Sequence, residues 1–327
     1  MTGPARQTFY SQIAANKRQS ILLAFIVILI LGLLGFAIGY GLTGSTVASV
    51  PILIGVVMVS FLLAVGSYFG GDSLVLATSQ AREVSDADAP QLLNVVHELA
   101  LAANVPMPRV YIIEDSAPNA FATGRDPQHA SIAITSGLLQ KLDREELQGV
   151  IGHEMSHVRN YDIRFTLLVG VLVGSVALLA QFFLRFTFWG GGRSNNRDSS
   201  GGGGLQIVFL VLAIVMAILA PIATRLVQLA VSRQREYLAD ASSVDLTRDP
   251  MGLERALLKI SADPDALEVA NGATQHLYIV NPIKKLSGGG LGLFSTHPPI
   301  VDRVNRLRKL TGERLLDPSD PAVAALD

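Results

Sequence analysis

The sequence predicts a mainly helical, polytopic membrane protein with about four transmembrane helices and an α+β domain that carries a small sheet. Three observations predict it. A run of 53 residues between Arg18 and Asp72 holds no Asp, Glu, Lys or Arg. A second pair of uncharged apolar segments follows near 165–184 and 205–224, and between the two pairs lie short β-branched runs bounded by helical patterns. Half the residues are hydrophobic, only 16% are charged and the mean hydropathy is +0.41. That is too apolar for an ordinary soluble globule.

Taken in order, residues 1–20 form an arm with Arg6, Lys17 and Arg18 and no acidic residue. Residues 21–70 hold enough apolar chain for two spans of about 20 residues each, broken near Gly41 to Ser49 by Gly, Thr and Ser. A signal sequence has a shorter apolar core, about 7 to 15 residues, so this hairpin reads as a retained anchor. Residues 72–162 open a mixed domain. Pro90 to Ala103 has an apolar stripe at helical spacing, with Asp88 a candidate cap. Arg109 to Glu114, Asn119 to Thr123 and Ser131 to Thr135 read as strands. Ser136 to Leu142 starts another helix, and Asp143 caps a longer one, with Glu146 at capping-box spacing.

Residues 163–231 supply a second hairpin, joined by a Gly-rich loop at 190–204 that has nothing to pack. Residues 232–327 complete the mixed domain with helical stretches around Glu236, Leu253 to Ile260 and Pro299 to Leu310. Four spans put both termini and the 72–162 segment on one side. Arg159, Arg164, Arg225, Arg233 and Arg235 near span ends favour the cytoplasm for that side, against Arg193 and Arg197 in the opposite loop. With no Cys, disulfides and thiol ligands are excluded. A net charge of −1 gives no argument for nucleic acid, and the Gly-rich 288–292 stretch has no Lys to make a nucleotide loop.

The chemistry lies in His153-Glu154-Met155-Ser156-His157 on the helix capped by Asp143. Residues four apart share a helix face, so both imidazoles can reach one ion while Glu154 stands beside the attacking water. H-E-x-x-H on a helix is the spacing of metal-dependent peptide hydrolysis. Catalytic zinc takes three protein ligands and keeps one position open. Candidates for the third are Glu236, Asp240, Asp245, Glu254, His276 and His297. Topology favours Glu236, because the second hairpin returns its helix to the face where the first helix entered the membrane. Asp240, one turn further, is placed to accept a hydrogen bond from a liganding imidazole.

HEMSH, then SRQREYLAD (Ser232 to Asp240), then STHPP (Ser295 to Pro299) with Arg303, in this order around two membrane hairpins, closely resemble the HtpX-type membrane-bound zinc metalloproteases. The same motifs are more distantly similar to those of the CAAX prenyl endopeptidases. The resemblance covers nearly the whole chain and rests on three separated motifs. It implies a zincin-like, gluzincin catalytic domain with one Zn2+ held by His153, His157 and Glu236, and with Glu154 as general base. It further implies that Asp240 and Arg303 support the site, that His297 serves the substrate or the oxyanion, and that Asn119 and Ala120 lie on an edge that binds substrate backbone as an added strand.

The expected function is therefore a multi-pass zinc endopeptidase of the plasma or inner membrane, acting at the cytoplasmic face on misfolded or damaged membrane proteins in a stress response. Its expected partners are polypeptide substrates and the bilayer, with a second copy of the chain as a further candidate. Among the alternatives, an intramembrane protease fits poorly because Val158-Arg159-Asn160-Tyr161-Asp162 follows the motif directly. A transporter fits poorly because the spans carry no ionisable groups, and a zinc scaffold would close four protein ligands round its ion. A prenyl-protein endopeptidase is expected to have more spans than four.

Overall fold

The computed structural model describes residues 43–85, 87–168, 233–268, 277–280 and 298–320, scattered positions between 14 and 40, and residues 323 and 326. The expected third span beyond Leu168, the expected fourth span, the two Gly-rich stretches, His276 and His297 lie outside the described residues.

Helix α1 (Thr46–Thr78) starts at Ser45, whose side chain accepts from the Ala48 N–H. Its 33 residues make a rod about 50 Å long. Val47, Met58, Phe61, Leu62 and Phe69 stand exposed along it. A helix inside a soluble domain would bury such side chains, so this one is dressed for lipid. The preceding apolar segment packs on it through glycines: a Cβ on Gly35 would lie 2.7 Å from Val56 Cγ2, and one on Gly39 3.1 Å from Ser49 Cα. The span was expected to end near residue 70, but the helix runs on to Thr78. Its last turns are held by protein. Asp72 pairs with Arg109 at 3.0 Å, and Val75 and Leu76 join a core cluster with Tyr111, Ile113 and Phe121.

Beyond α1 comes a mixed sheet of β1 (Arg82–Glu83), β2 (Arg109–Ile113), β3 (Ala120–Gly124) and β4 (Ala130–Thr135) in the order β1-β2-β4-β3. The β2 and β4 strands are parallel, and the other neighbours are antiparallel. All six residues of β4 are buried, as its β-branched run requires of a central strand. Helix α2 (Pro90–Ala103) forms where its stripe predicts, but Asp88 does not cap it. The Asp88 carboxylate instead closes a turn on the N–H and hydroxyl of Ser85. The first residue of α2 is Pro90, which has no N–H to satisfy.

After the short α3 (Ser136–Lys141) comes α4 (Arg144–Arg159), with the expected capping box. Asp143 accepts from the Glu146 N–H, and Glu146 accepts from the Asp143 N–H, both at 2.9 Å. Among the described residues, the helices that follow are α5 (Arg233–Thr247), α6 (Pro250–Ala262), capped by Asp249, and α7 (Ile300–Thr311). Helix α4 lies at the centre, packed by α2, α5, α6 and β3. Two of its glycines allow this. A Cβ on Gly149 would come within 2.6 Å of Leu253 Cα on α6, and one on Gly152 would meet Ser243 Oγ on α5 at 2.7 Å. The Ser243 hydroxyl donates to the Gly149 carbonyl across the same contact, at 2.6 Å.

Candidate metal and catalytic centre

His153 and His157 project from one face of α4, and Glu236 meets them from the first turn of α5. The two Nε2 atoms are 3.2 Å apart. Glu236 places Oε2 3.6 Å from His153 Nε2 and Oε1 3.7 Å from His157 Nε2. Donor atoms on one tetrahedral ion with bonds near 2.1 Å stand about 3.4 Å apart, so this trio fits a zinc-sized cation. Among the described residues, these three form the group of His and carboxylate side chains whose ligand atoms converge in this way.

The other nitrogens explain the tautomers. His153 Nδ1 lies 2.9 Å from Asp240 Oδ1, and His157 Nδ1 lies 3.1 Å from Asp162 Oδ2. A carboxylate at Nδ1 keeps the proton there and leaves the Nε2 lone pair for an ion. Asp240 is itself gripped by Arg303, whose Nε and Nη2 donate at 2.9 and 2.6 Å. Arg303 is fully buried, and its Nη1 donates to the Ile279 carbonyl. Burial would raise the Asp240 pKa, but Arg303 and His153 overcome it and hold the acid at about 2. Burial would likewise lower the His157 pKa, yet the Asp162 bond and the charge of Glu236 push it up to about 9. His153 is raised for the same reason, with Asp240 and Glu236 outweighing its burial.

Glu154, next to the trio, is buried. Burial pushes its pKa above the usual carboxylate range, against the nearby imidazoles, and the Ala122 N–H on β3 donates to its carboxylate. A carboxylate whose affinity for a proton is raised in this way is a better proton acceptor.

The remaining sequence candidates fall elsewhere. Asp245 is exposed and pairs with Arg248 at 3.1 Å, and Glu254 binds Arg308 at 2.7 Å. Ala120 opens β3, the outer strand beside α4, and Asn119 directly precedes it. There they hold the chain's own backbone: Asn119 Nδ2 donates to the Val280 carbonyl at 2.9 Å, and the Ala120 carbonyl accepts from the Ile279 N–H at 3.0 Å. Sequence reasoning missed Asp162. Tyr161, at φ +60°, turns the chain just past α4 and brings Asp162 back under His157. An Asp so close behind the motif was the available signal.

The profile of peptidase family M48 matches residues 86–311. The protease HtpX homolog of Streptococcus gordonii is 45% identical over 301 residues, which is 92% of this chain and 99% of that protein. That of Ligilactobacillus salivarius is 43% identical with the same coverage. Among solved structures, S. mikatae Ste24p overlaps with a TM-score of 0.46 at 19% identity, covering 91% of this chain and 67% of that one.

Proposed function

The chain belongs to peptidase family M48 and is a membrane-bound metallopeptidase, and from that premise we propose that it is a zinc endopeptidase whose ion is held by His153, His157 and Glu236. One observation carries the reading: three ligand atoms converge within 4.8 Å while both imidazoles spend Nδ1 on a carboxylate.

When bound, the ion supplies Lewis-acid polarisation of the scissile carbonyl and makes water a nucleophile near neutral pH. Glu154 takes the proton of the attacking water and passes it to the leaving amine, a role that its raised pKa suits. Asp240 and Asp162 hold the imidazoles in the liganding tautomer. Arg303 acts through Asp240 and is a positioning residue. His297 is assigned the oxyanion of the tetrahedral intermediate.

A substrate would lie extended along the outer edge of β3, using the Ala122 carbonyl and Gly124, because residues 279 and 280 already hold Asn119 and Ala120. Four spans, a cytoplasmic active site and misfolded or damaged membrane proteins as substrates complete the proposal. Zinc-loaded wild type and Glu154→Gln in detergent test it on an unfolded polypeptide. The variant should keep its zinc and lose activity by at least about 100-fold. Cleavage at the wild-type rate would remove Glu154 from the mechanism.

A further inference from the structure

A hydrocarbon core of about 30 Å, counted along α1 from the exposed Val47 at about 1.5 Å per residue, reaches Ser67, with Phe69 and Leu74 exposed beyond it. One end of that distance puts Tyr68 and Phe69 at the bilayer surface, on the side of the catalytic domain. Arginines sit on aromatic rings at this level. The Arg125 guanidinium lies 5.3 Å from the centre of the Phe69 ring, and that of Arg164 lies 5.5 and 5.1 Å from the centres of Tyr68 and Tyr161. Arg235, just after the second hairpin, covers Phe165 at 4.8 Å. Arg164 Nε donates to the backbone carbonyl of Arg125 at 2.6 Å, which anchors the Arg164 side chain beside residue 125 by a bond that uses neither of its Nη groups.

The acidic groups nearby are engaged. Asp126 binds His129 at 2.7 Å and stands 3.7 Å from Arg125 Nε, Asp162 binds His157, and Asp72 binds Arg109. Arg159 and Arg233 add positive charge on the neighbouring helix ends. Cations planted on interfacial aromatic rings, at the depth of the headgroups, match a phosphate diester flanked by glycerol and acyl chains. We propose that Arg125 and Arg164, seated on Phe69, Tyr68 and Tyr161, bind the phosphate of an anionic phospholipid where the catalytic domain meets the bilayer. The site goes beyond the peptidase reading and bears on it. Arg125 directly follows β3, three residues on from Ala122, about 10 Å along extended chain from the backbone N–H that faces Glu154. A lipid clamped there fixes the height of the catalytic groups above the membrane.

Titration of the full chain in detergent with phosphatidylglycerol, followed by native mass spectrometry, tests the site, with phosphatidylcholine and inorganic phosphate as parallel arms. Wild type should bind its first phosphatidylglycerol more tightly than phosphatidylcholine. Arg125→Gln and Arg164→Gln should each weaken that step about fivefold, and Arg164→Lys should keep part of it by keeping the charge. Unchanged affinity in both Gln variants would overturn the proposal, as would equal binding of phosphatidylcholine. So would loss in Arg164→Lys as complete as in Arg164→Gln, since the role would then be structural. Competition by inorganic phosphate at equal concentration would make it an ion site and not a lipid site. A chain that stays monodisperse without detergent would overturn the membrane premise itself, before any lipid is added.

Discussion

Each liganding imidazole faces a carboxylate through Nδ1, and in the metal-free protein that arrangement favours the charged ring. For His157 the folded pKa of about 9 exceeds its ordinary 6.5. The stabilisation is then fully present below pH 6.5 and is lost as pH rises through about 9. Metal works in the other direction, because an ion at Nε2 must displace that proton. In chelator, the melting temperature should fall between pH 6.5 and about 9, while the gain on adding zinc should grow over the same window. Thermal unfolding with and without zinc at three pH values checks both signs, and a flat metal-free profile would contradict the charged ring. At this scale the sequence told much. The H-E-x-x-H spacing pointed to His153 and His157, whose Nε2 atoms converge with Glu236, and to Glu154 as the proposed base, and i, i+4 spacing paired Glu236 with Asp240. Asp162 was hidden because its approach depends on the left-handed turn at Tyr161, which spacing rules for a continuous helix do not contain.

The elements that carry these residues owe their positions to close helix contacts more than to propensity. Gly149 and Gly152 let α5 and α6 lie against α4 at backbone distance, and α5 brings Glu236 and Asp240. Gly149→Ala should therefore destabilise by about 1–3 kcal/mol despite the better helix propensity of Ala, because the new Cβ meets backbone that cannot rotate away. Gly66→Ala in α1, where an added Cβ would meet nothing within 4 Å among the described residues, should be neutral or mildly stabilising. Denaturant unfolding of the two variants measures the contrast, and equal effects would remove close packing as the cause. Element by element, caps and periodicity located α2, α4 and the three longer strands. The two-residue β1 was not legible, because Arg82 and Glu83 alone carry no alternation. Nor was the use of the β3 edge by residues 279 and 280: the Asn119 to Val280 bond spans 161 positions of sequence, and no local pattern encodes it.

At the scale of the molecule, the metal trio unites two stretches of chain separated by the segment expected to form the second membrane hairpin. His153 and His157 precede it and Glu236 follows it. On the other side of the sheet, α1 runs without a break from exposed apolar surface into the domain core through Asp72, Val75 and Leu76. The catalytic domain is thus tied to a lipid-facing rod, and the proposed lipid site lies at that junction. The sequence already placed a metal motif beside apolar segments. It could not show that the helix carries on past the apolar run, because that extension is held by Arg109 and the sheet and not by any signal within residues 70–78.

The central claim is that Glu236 crosses from the far side of that segment to complete the ion's ligand set, and zinc affinity in the Glu236→Gln variant measures it most directly. Competition against a calibrated chelator should show one zinc per wild-type chain, and binding in the variant weakened by more than the roughly 100-fold that loss of an outer hydrogen-bond partner costs. Zinc held by Glu236→Gln as tightly as by wild type would contradict the account.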